Sequence, residues 1–245
     1  MSLYAAWRAR DDGWSALICE PLVRAALGHL EEDLGPGAVF LDVGCGIGHV
    51  ACAVAAAGHR ALGVDPDLAA LREARRRDPS TRWLRGTAEA LPVRDASVDR
   101  LFSLSVLQYT DREAALAECS RVLRPGGRFA IVENLAGNPV AAAFRVLRRA
   151  GVRPPPEYAP PRAHPRWGDR RLYEHYFGEV RFRAFHLAVP ALAALPAGRR
   201  GPTGGTHGSG IPRLLRAIRG ADTALLQAIP PLRHAAWMCV AYGTR

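Results

Sequence analysis

The chain has 245 residues, 49% of them hydrophobic and 23% charged, with a formal net charge of +10. That size fits one sizeable α/β domain, and the balance is that of an ordinary soluble globular protein. The five cysteines are scattered (Cys19, Cys45, Cys52, Cys119, Cys239) and form no CxxC pair, which argues against a disulfide framework or a metal site and for a reduced, cytoplasmic setting. Met1–Arg10 lacks the apolar core of a signal peptide, and the apolar stretch Ala184–Ala197 is too short and too proline-broken to span a bilayer.

Charge is unevenly spread. Residues 1–123 hold 14 Arg and 17 Asp/Glu, a net of −3, whereas residues 124–245 hold 19 Arg and 6 Asp/Glu, a net of +13. No lysine occurs, which fits codon bias in a GC-rich genome, but codon bias does not remove carboxylates from one half. The asymmetry points to an acidic partner such as a phosphorylated substrate, a carrier protein, an anionic membrane or a nucleic acid.

Strand and helix signals alternate over the first ~130 residues, as in a doubly wound parallel sheet. Trp14–Asp33 reads as a helix ended by Gly35-Pro36-Gly37, and Ala38–Val43 as a buried central strand. His49–Ala57 is an alanine-rich helix, Ala61–Val64 a second strand and Asp67–Arg77 a second core helix with Asp67 as its cap. Thr81–Leu84, Val98–Ser103 and Arg128–Val132 are further strands, with a helix over Asp111–Leu123. Pro139–Ala150 looks helical, and the proline-rich Arg153–Pro165 interrupts regular structure. Gly168–Phe177 reads as a short helix, Val180–Val189 as strand six, Gly198–Gly210 as a glycine-dense loop, Pro212–Ile229 as a helix and Ala235–Tyr242 as an antiparallel strand seven.

The chemistry concentrates in Val39-Phe40-Leu41-Asp42-Val43-Gly44-Cys45-Gly46-Ile47-Gly48, a buried strand running through a glycine turn into a helix. Alternate glycines permit positive φ and close approach of a ligand to the backbone, and the helix start offers free N–H groups. The spacing is GxGxG, with His49 where a dinucleotide-binding turn carries its third glycine. Asp42 would repel a pyrophosphate and suits a ligand with an ammonium group. Asp65, closing the second strand, stands where α/β nucleotide sites place an acid on the ribose hydroxyls. These features favour an adenosyl ligand with a positively charged tail.

Four segments in order, with Asp65 after the first, resemble class I S-adenosylmethionine (SAM)-dependent methyltransferases, most closely the type 11 group: the glycine turn, Gly86-Thr87-Ala88-Glu89-Ala90-Leu91-Pro92, Val98–Ser103 through Leu107-Gln108-Tyr109, and Leu123-Arg124-Pro125-Gly126-Gly127. The resemblance covers roughly residues 35–133. It implies a Rossmann-like, seven-stranded and mostly parallel sheet with an antiparallel last strand and helices on both faces. It also implies SAM as cofactor, held by Asp42, Gly44, Cys45, Gly46, Gly48, Asp65, Pro66, Thr87, Ala88, Glu89, Ser103 and Leu104. Thr87 and Tyr109 depart from the family's frequent Asp and His.

On this reading residues 1–34 form a first helix or lid carrying Tyr4, Trp7 and Trp14, residues 35–133 the SAM core, and residues 134–245 a substrate-binding part that completes the sheet. His175 is the first candidate for an acid/base, followed by His164 and Tyr109. Arg166, Arg170 and Arg171 are candidates for gripping a phosphate or carboxylate, and Arg213, Arg216 and Arg219 form a helical row. The expected activity is methylation of a small molecule, glycan or lipid-linked intermediate, on oxygen; an RNA-modifying enzyme and a non-catalytic SAM-binding protein are the alternatives.

Overall fold

The computed structural model describes residues 1–9, 14–149, 162–193 and 210–245. The expected loop over residues 198–209 and the proline-rich residues 153–161 lie outside the described residues, as does the side chain of Trp14.

In chain order the strands are β1 (Val39–Val43), β2 (Arg60–Asp65), β3 (Arg82–Arg85), β4 (Val98–Leu104), β5 (Leu123–Asn134), β6 (Glu179–Phe185) and β7 (Met238–Thr244). They form one sheet in the order β3-β2-β1-β4-β5-β7-β6. Only β7 runs against the others, pairing antiparallel with both β5 and β6. The helices are α1 (Leu3–Arg8), α2 (Trp14–Glu31), α3 (His49–Ala56), α4 (Leu68–Arg77), α5 (Arg112–Val122), α6 (Pro139–Arg149), α7 (Arg170–Tyr176), α8 (Val189–Ala193) and α9 (Gly210–Ala228). This is the Rossmann-like methyltransferase sheet that the sequence implied.

Period-two alternation splits the strand residues between two cores. Phe40, Phe102, Ala130 and Val132 pack with Trp7, Leu22, Leu27 and Val50 on the α1–α3 side. Leu41, Leu101, Phe129 and Ile131 pack with Leu116 and Tyr173 on the α5–α7 side. Both faces of the central strands are therefore buried, which is why those strands read as continuous apolar runs.

Several expected boundaries move; β5, for one, starts at Leu123 and takes in the expected turn at 124–127, and three others have a physical reason. Helix α2 stops at Glu31 rather than Asp33, because Asp33 takes φ 52°. Its terminal carbonyls are satisfied from β4: Arg100, 7% exposed, donates to Leu30 O (2.8 Å), Glu32 O (2.9 Å) and Asp33 O (3.0 Å). Strand β6 ends at Phe185 rather than Val189, because His186 has φ 65° and the Leu187 and Ala188 N–H groups turn to the buried Asp222 carboxylate on α9. Strand β7 starts at Met238, since Pro230–Ala235 forms a 3-10 turn, and it runs on to Thr244.

The helical arginine row is not a uniform solvated face. Arg219 turns inward to Glu20 on α2 at 3.2 Å, its side chain 15% exposed. Glu20 also accepts from the Tyr4 hydroxyl (2.7 Å), so α1, α2 and α9 share one polar junction. Helix α1 buries Leu3, Ala6 and Trp7 and packs against α2 and α3.

Candidate active site

Parallel strands bring the C-terminal ends of β1, β2 and β4 to one edge of the sheet, where such folds bind ligands. Leaving β1, the chain passes through Gly44, Gly46 and Gly48, with φ 70°, 51° and 81°. Gly44 and Cys45 donate to Val64 O on β2 (2.8 and 3.1 Å), and Gly48 N–H closes the turn on Cys45 O (2.8 Å).

The three glycines are needed for different reasons. A Cβ on Gly44 would lie 2.2 Å from Val106 Cγ2, and one on Gly48 2.4 Å from Trp83 Cη2. A Cβ on Gly46 meets nothing within 4 Å, so this backbone borders open space that a ligand can enter. Trp83, on β3, was not singled out from sequence. Its ring lies across Gly63, where a Cβ would come within 2.5 Å, so the glycine within strand β2 is the available signal for it.

Asp65, at the end of β2, accepts Gly46 N–H on Oδ2 (2.8 Å) and Asp67 N–H on Oδ1 (2.9 Å). Each carboxylate oxygen carries two lone pairs, so both retain capacity for a hydroxyl pair. Asp67 caps α4 through Ala69 N–H (2.7 Å), as its position predicted. Pro66 is exposed beside Asp65.

Asp42 is 3% exposed and accepts Ala51 N–H of α3 (3.2 Å). Burial, with the nearby Asp65 charge adding to it, pushes its carboxyl up to about 7. A buried acid poised near neutrality beside a second acid fits a cationic ligand group, which would favour its ionised form. Burial pushes the Cys45 thiol far up, so this residue is an inert part of the turn rather than a nucleophile.

The segment after β3 comes to Asp65 through Gly86 N–H, which donates to Asp65 O (3.2 Å). Thr87 is exposed and Ala88 buried, while Glu89 accepts Asp111 N–H at the start of α5 (3.0 Å). Ser103 is buried on β4 between Val43 and Ile131, its Oγ without a partner among the described residues, and Leu104 is half-buried beside it.

The turn after β4 is held by a residue that sequence reasoning missed. Glu133, fully buried near the end of β5, accepts Val106 N–H (2.9 Å) and Leu107 N–H (2.8 Å) on Oε1. Its Oε2 has no partner among the described residues, and burial pushes the carboxyl up to about 7. Since Val106 abuts Gly44, Glu133 sets where the two turns meet. An ionisable residue inside Ile131-Val132-Glu133 was the signal available.

The three acid/base candidates part company. Tyr109 lies in the 3-10 turn Leu107–Tyr109 directly after β4. His164 lies near it, because Ala163 N–H donates to Gln108 O (3.3 Å). His175 is exposed on α7, and the residues after it lead to the opposite edge: Phe177 stacks on Phe129 at 3.9 Å, and Gly178 N–H donates to Thr244 O (3.1 Å). Thr244 pairs with Arg128, far from the end of β5, so the fold does not bring His175 to the glycine turn.

Beside the β4 turn opens a cleft of about 570 Å³, bounded by Arg112, Arg145, Arg162, His164, Arg166 and Asp169. Arg166 is where the sequence placed it, whereas Arg170 pairs with Glu174 at 2.7 Å and Arg171 is exposed on α7. Among the described residues no cluster of His, Cys, Asp or Glu is suited to a metal, and no helix is long and apolar enough to cross a membrane.

Fold and turn geometry together resemble those of class I SAM-dependent methyltransferase domains. Residues 41–131 match the family model described as a methyltransferase domain. The chain is 40% identical over 121 residues to a malonyl-[acyl-carrier protein] O-methyltransferase of Methylococcus capsulatus, covering 47% of this chain and 43% of that protein. It is 42% identical over 100 residues to a ubiquinone/menaquinone biosynthesis C-methyltransferase of Rubrivivax gelatinosus, covering 40% and 39%. The matches thus span less than half the length of these relatives. Among solved structures, geranyl diphosphate C-methyltransferase from Streptomyces coelicolor, with S-adenosylhomocysteine, superposes with TM-score 0.59 at 18% identity over 95% of this chain and 81% of that one. A SAM-dependent methyltransferase from Thermotoga maritima does so with TM-score 0.58 at 17% identity over 99% of each chain.

Proposed function

We propose that the protein is a SAM-dependent methyltransferase that methylates a small molecule, on oxygen. The observation that carries the reading is the junction of Gly46 and Asp65. An open backbone at positive φ and a carboxylate with spare lone pairs meet at the end of the central strands. In this reading Asp65 holds the ribose hydroxyls, Asp42 faces the ammonium end, and the Gly44–Gly48 backbone lies along the ligand. Thr87, Ala88 and the β4 turn from Ser103 and Leu104 bound the remaining sides.

SAM, when bound, supplies a methyl group on a sulfonium, ready for in-line displacement. The chain's own part is alignment: the β4 turn, fixed by Glu133, sets the wall against which an acceptor lies. A hydroxyl acceptor must lose its proton, and in this reading Tyr109 or His164, on the segments next to that wall, takes it. A carboxylate acceptor needs no base.

Relatives' names divide between oxygen and carbon acceptors, so the acceptor atom rests on the chemistry of the wall. The test is incubation of the full chain with SAM and a panel of small carboxylic acids, alcohols, enols and amines, and separately with RNA, followed by mass spectrometry. Gain of one methylene unit on oxygen, with production of S-adenosylhomocysteine, is the expected result. Methylation at carbon or nitrogen alone would overturn the oxygen assignment, and methylation of RNA alone would overturn the small-molecule assignment.

A further inference from the structure

The lining of the cleft beside the β4 turn is partly cationic and partly apolar. Among the described residues that line it, four are arginines (Arg112, Arg145, Arg162, Arg166) and one is a carboxylate, Asp169. Asp169 is already engaged, since it pairs with Arg112 and accepts Arg166 N–H at 2.9 Å. The remaining lining includes apolar residues: Ala142 and Val146, which share α6 with Arg145, and Ala136. Val146 is 63% exposed, and Leu147 beside it 42%.

A concave site with excess guanidinium charge recognises an oxyanion, because guanidinium groups donate paired hydrogen bonds in the plane that carboxylates and phosphates present. Its volume is within the range of small-molecule pockets, roughly 300–1,000 Å³. The exposed side chain of Val146 adds a surface for aliphatic carbon. The cleft is tied to the methyl-transfer wall through the hydrogen bond from Ala163 to Gln108 and through Arg112, which opens α5 three residues after Tyr109.

We propose that this cleft is an oxyanion subsite for an amphipathic acceptor. Arg162 and Arg166 grip its carboxylate or phosphate ester, and Ala142 and Val146 cover its aliphatic part. The role of acceptor rests on the methyltransferase reading; the binding of an amphipathic anion does not. Arg112 is paired with Asp169, a contact that holds the 3-10 turn Trp167–Asp169.

The test is calorimetric titration of the full chain, saturated with S-adenosylhomocysteine, using hexyl phosphate, hexanoate and hexanol. Saturable binding of one or both anions, weakened about tenfold or more in R162Q/R166Q, is the expected result. Hexanol should bind much more weakly than the anions. Phosphate alone binding assigns a phosphate ester, hexanoate alone a carboxylate, and both an oxyanion subsite without preference. Arg112 is left intact in the variant to keep the turn, and unchanged affinity for S-adenosylhomocysteine shows that the fold survives. Absence of anion binding, or equal binding by the double variant, overturns the proposal. Failure of wild-type protein to bind S-adenosylhomocysteine overturns the methyltransferase reading instead, and the same anion titration on the ligand-free chain still decides the cleft.

Discussion

Gly46 N–H donates to Asp65 Oδ2 at 2.8 Å, joining the turn after β1 to the end of β2. The bond does two things at once. It holds Gly46 at φ 51° with its α-carbon facing open space, and it orients the Asp65 carboxylate beside that space. Sequence places these residues 19 positions apart; the parallel pairing of Val43 with Val64 brings them together.

Gly46→Ala and Gly37→Ala separate backbone strain from ligand contact. Both glycines have positive φ and open space around an added Cβ, but Gly37 precedes β1 at the far end of the strand. Each variant should lose about 1 kcal/mol of stability from the left-handed backbone. Only Gly46→Ala should also lose affinity for S-adenosylhomocysteine, by roughly tenfold. Gly48→Ala should be the most destabilised of the three, because the new methyl meets the Trp83 ring. Thermal melts and calorimetry on the same samples measure both effects.

Asp42 should couple cofactor binding to proton release. Its carboxyl sits at about 7 without ligand, and a cationic group beside it lowers that value. Affinity for S-adenosylhomocysteine therefore rises with pH through the acid side of neutrality and levels off above pH about 7. Titrations near pH 6.5 in two buffers of different ionisation heat should show proton release, lost in Asp42→Asn. Equal apparent heats for wild type in both buffers would contradict the assignment.

Glu133 makes stability fall as pH rises. Its carboxyl is raised from 4.5 to about 7, so between these values the folded state holds a proton that the unfolded state releases. Stability from this group is complete below pH about 4.5 and is lost progressively up to about 7, by at most about 3 kcal/mol. Glu133→Gln keeps an acceptor for Val106 and Leu107 and cannot ionise. Denaturant unfolding at pH 5 and pH 8 should show a smaller difference in the variant than in wild type. An unchanged difference would show that Glu133 does not ionise in that window.

Much of the scaffold was legible because β1 and β2 are largely buried, leaving short apolar runs that end at glycine or aspartate. The cap Asp67 was legible from its place just before a helical run. Distant partners were not. The end of β6 depends on Asp222, 35 residues from Leu187, and local apolarity carries on through Val189. At the site, the glycine turn and Asp65 could be read from spacing, but Glu133 acts on a backbone 26 residues away. His175 looked suitable beside its aromatic neighbours, and only the packing of Phe177 on Phe129 carries it to the other edge.

The central claim, a SAM site where β1 and β2 end, is tested most directly by titrating S-adenosylhomocysteine into wild type and Asp65→Ala. The account predicts one saturable site per chain in wild type and affinity weakened by roughly tenfold or more in the variant, which loses charge-assisted bonds to the ribose while still folding cooperatively. No binding by wild type, or the same affinity in a folded Asp65→Ala, would contradict it.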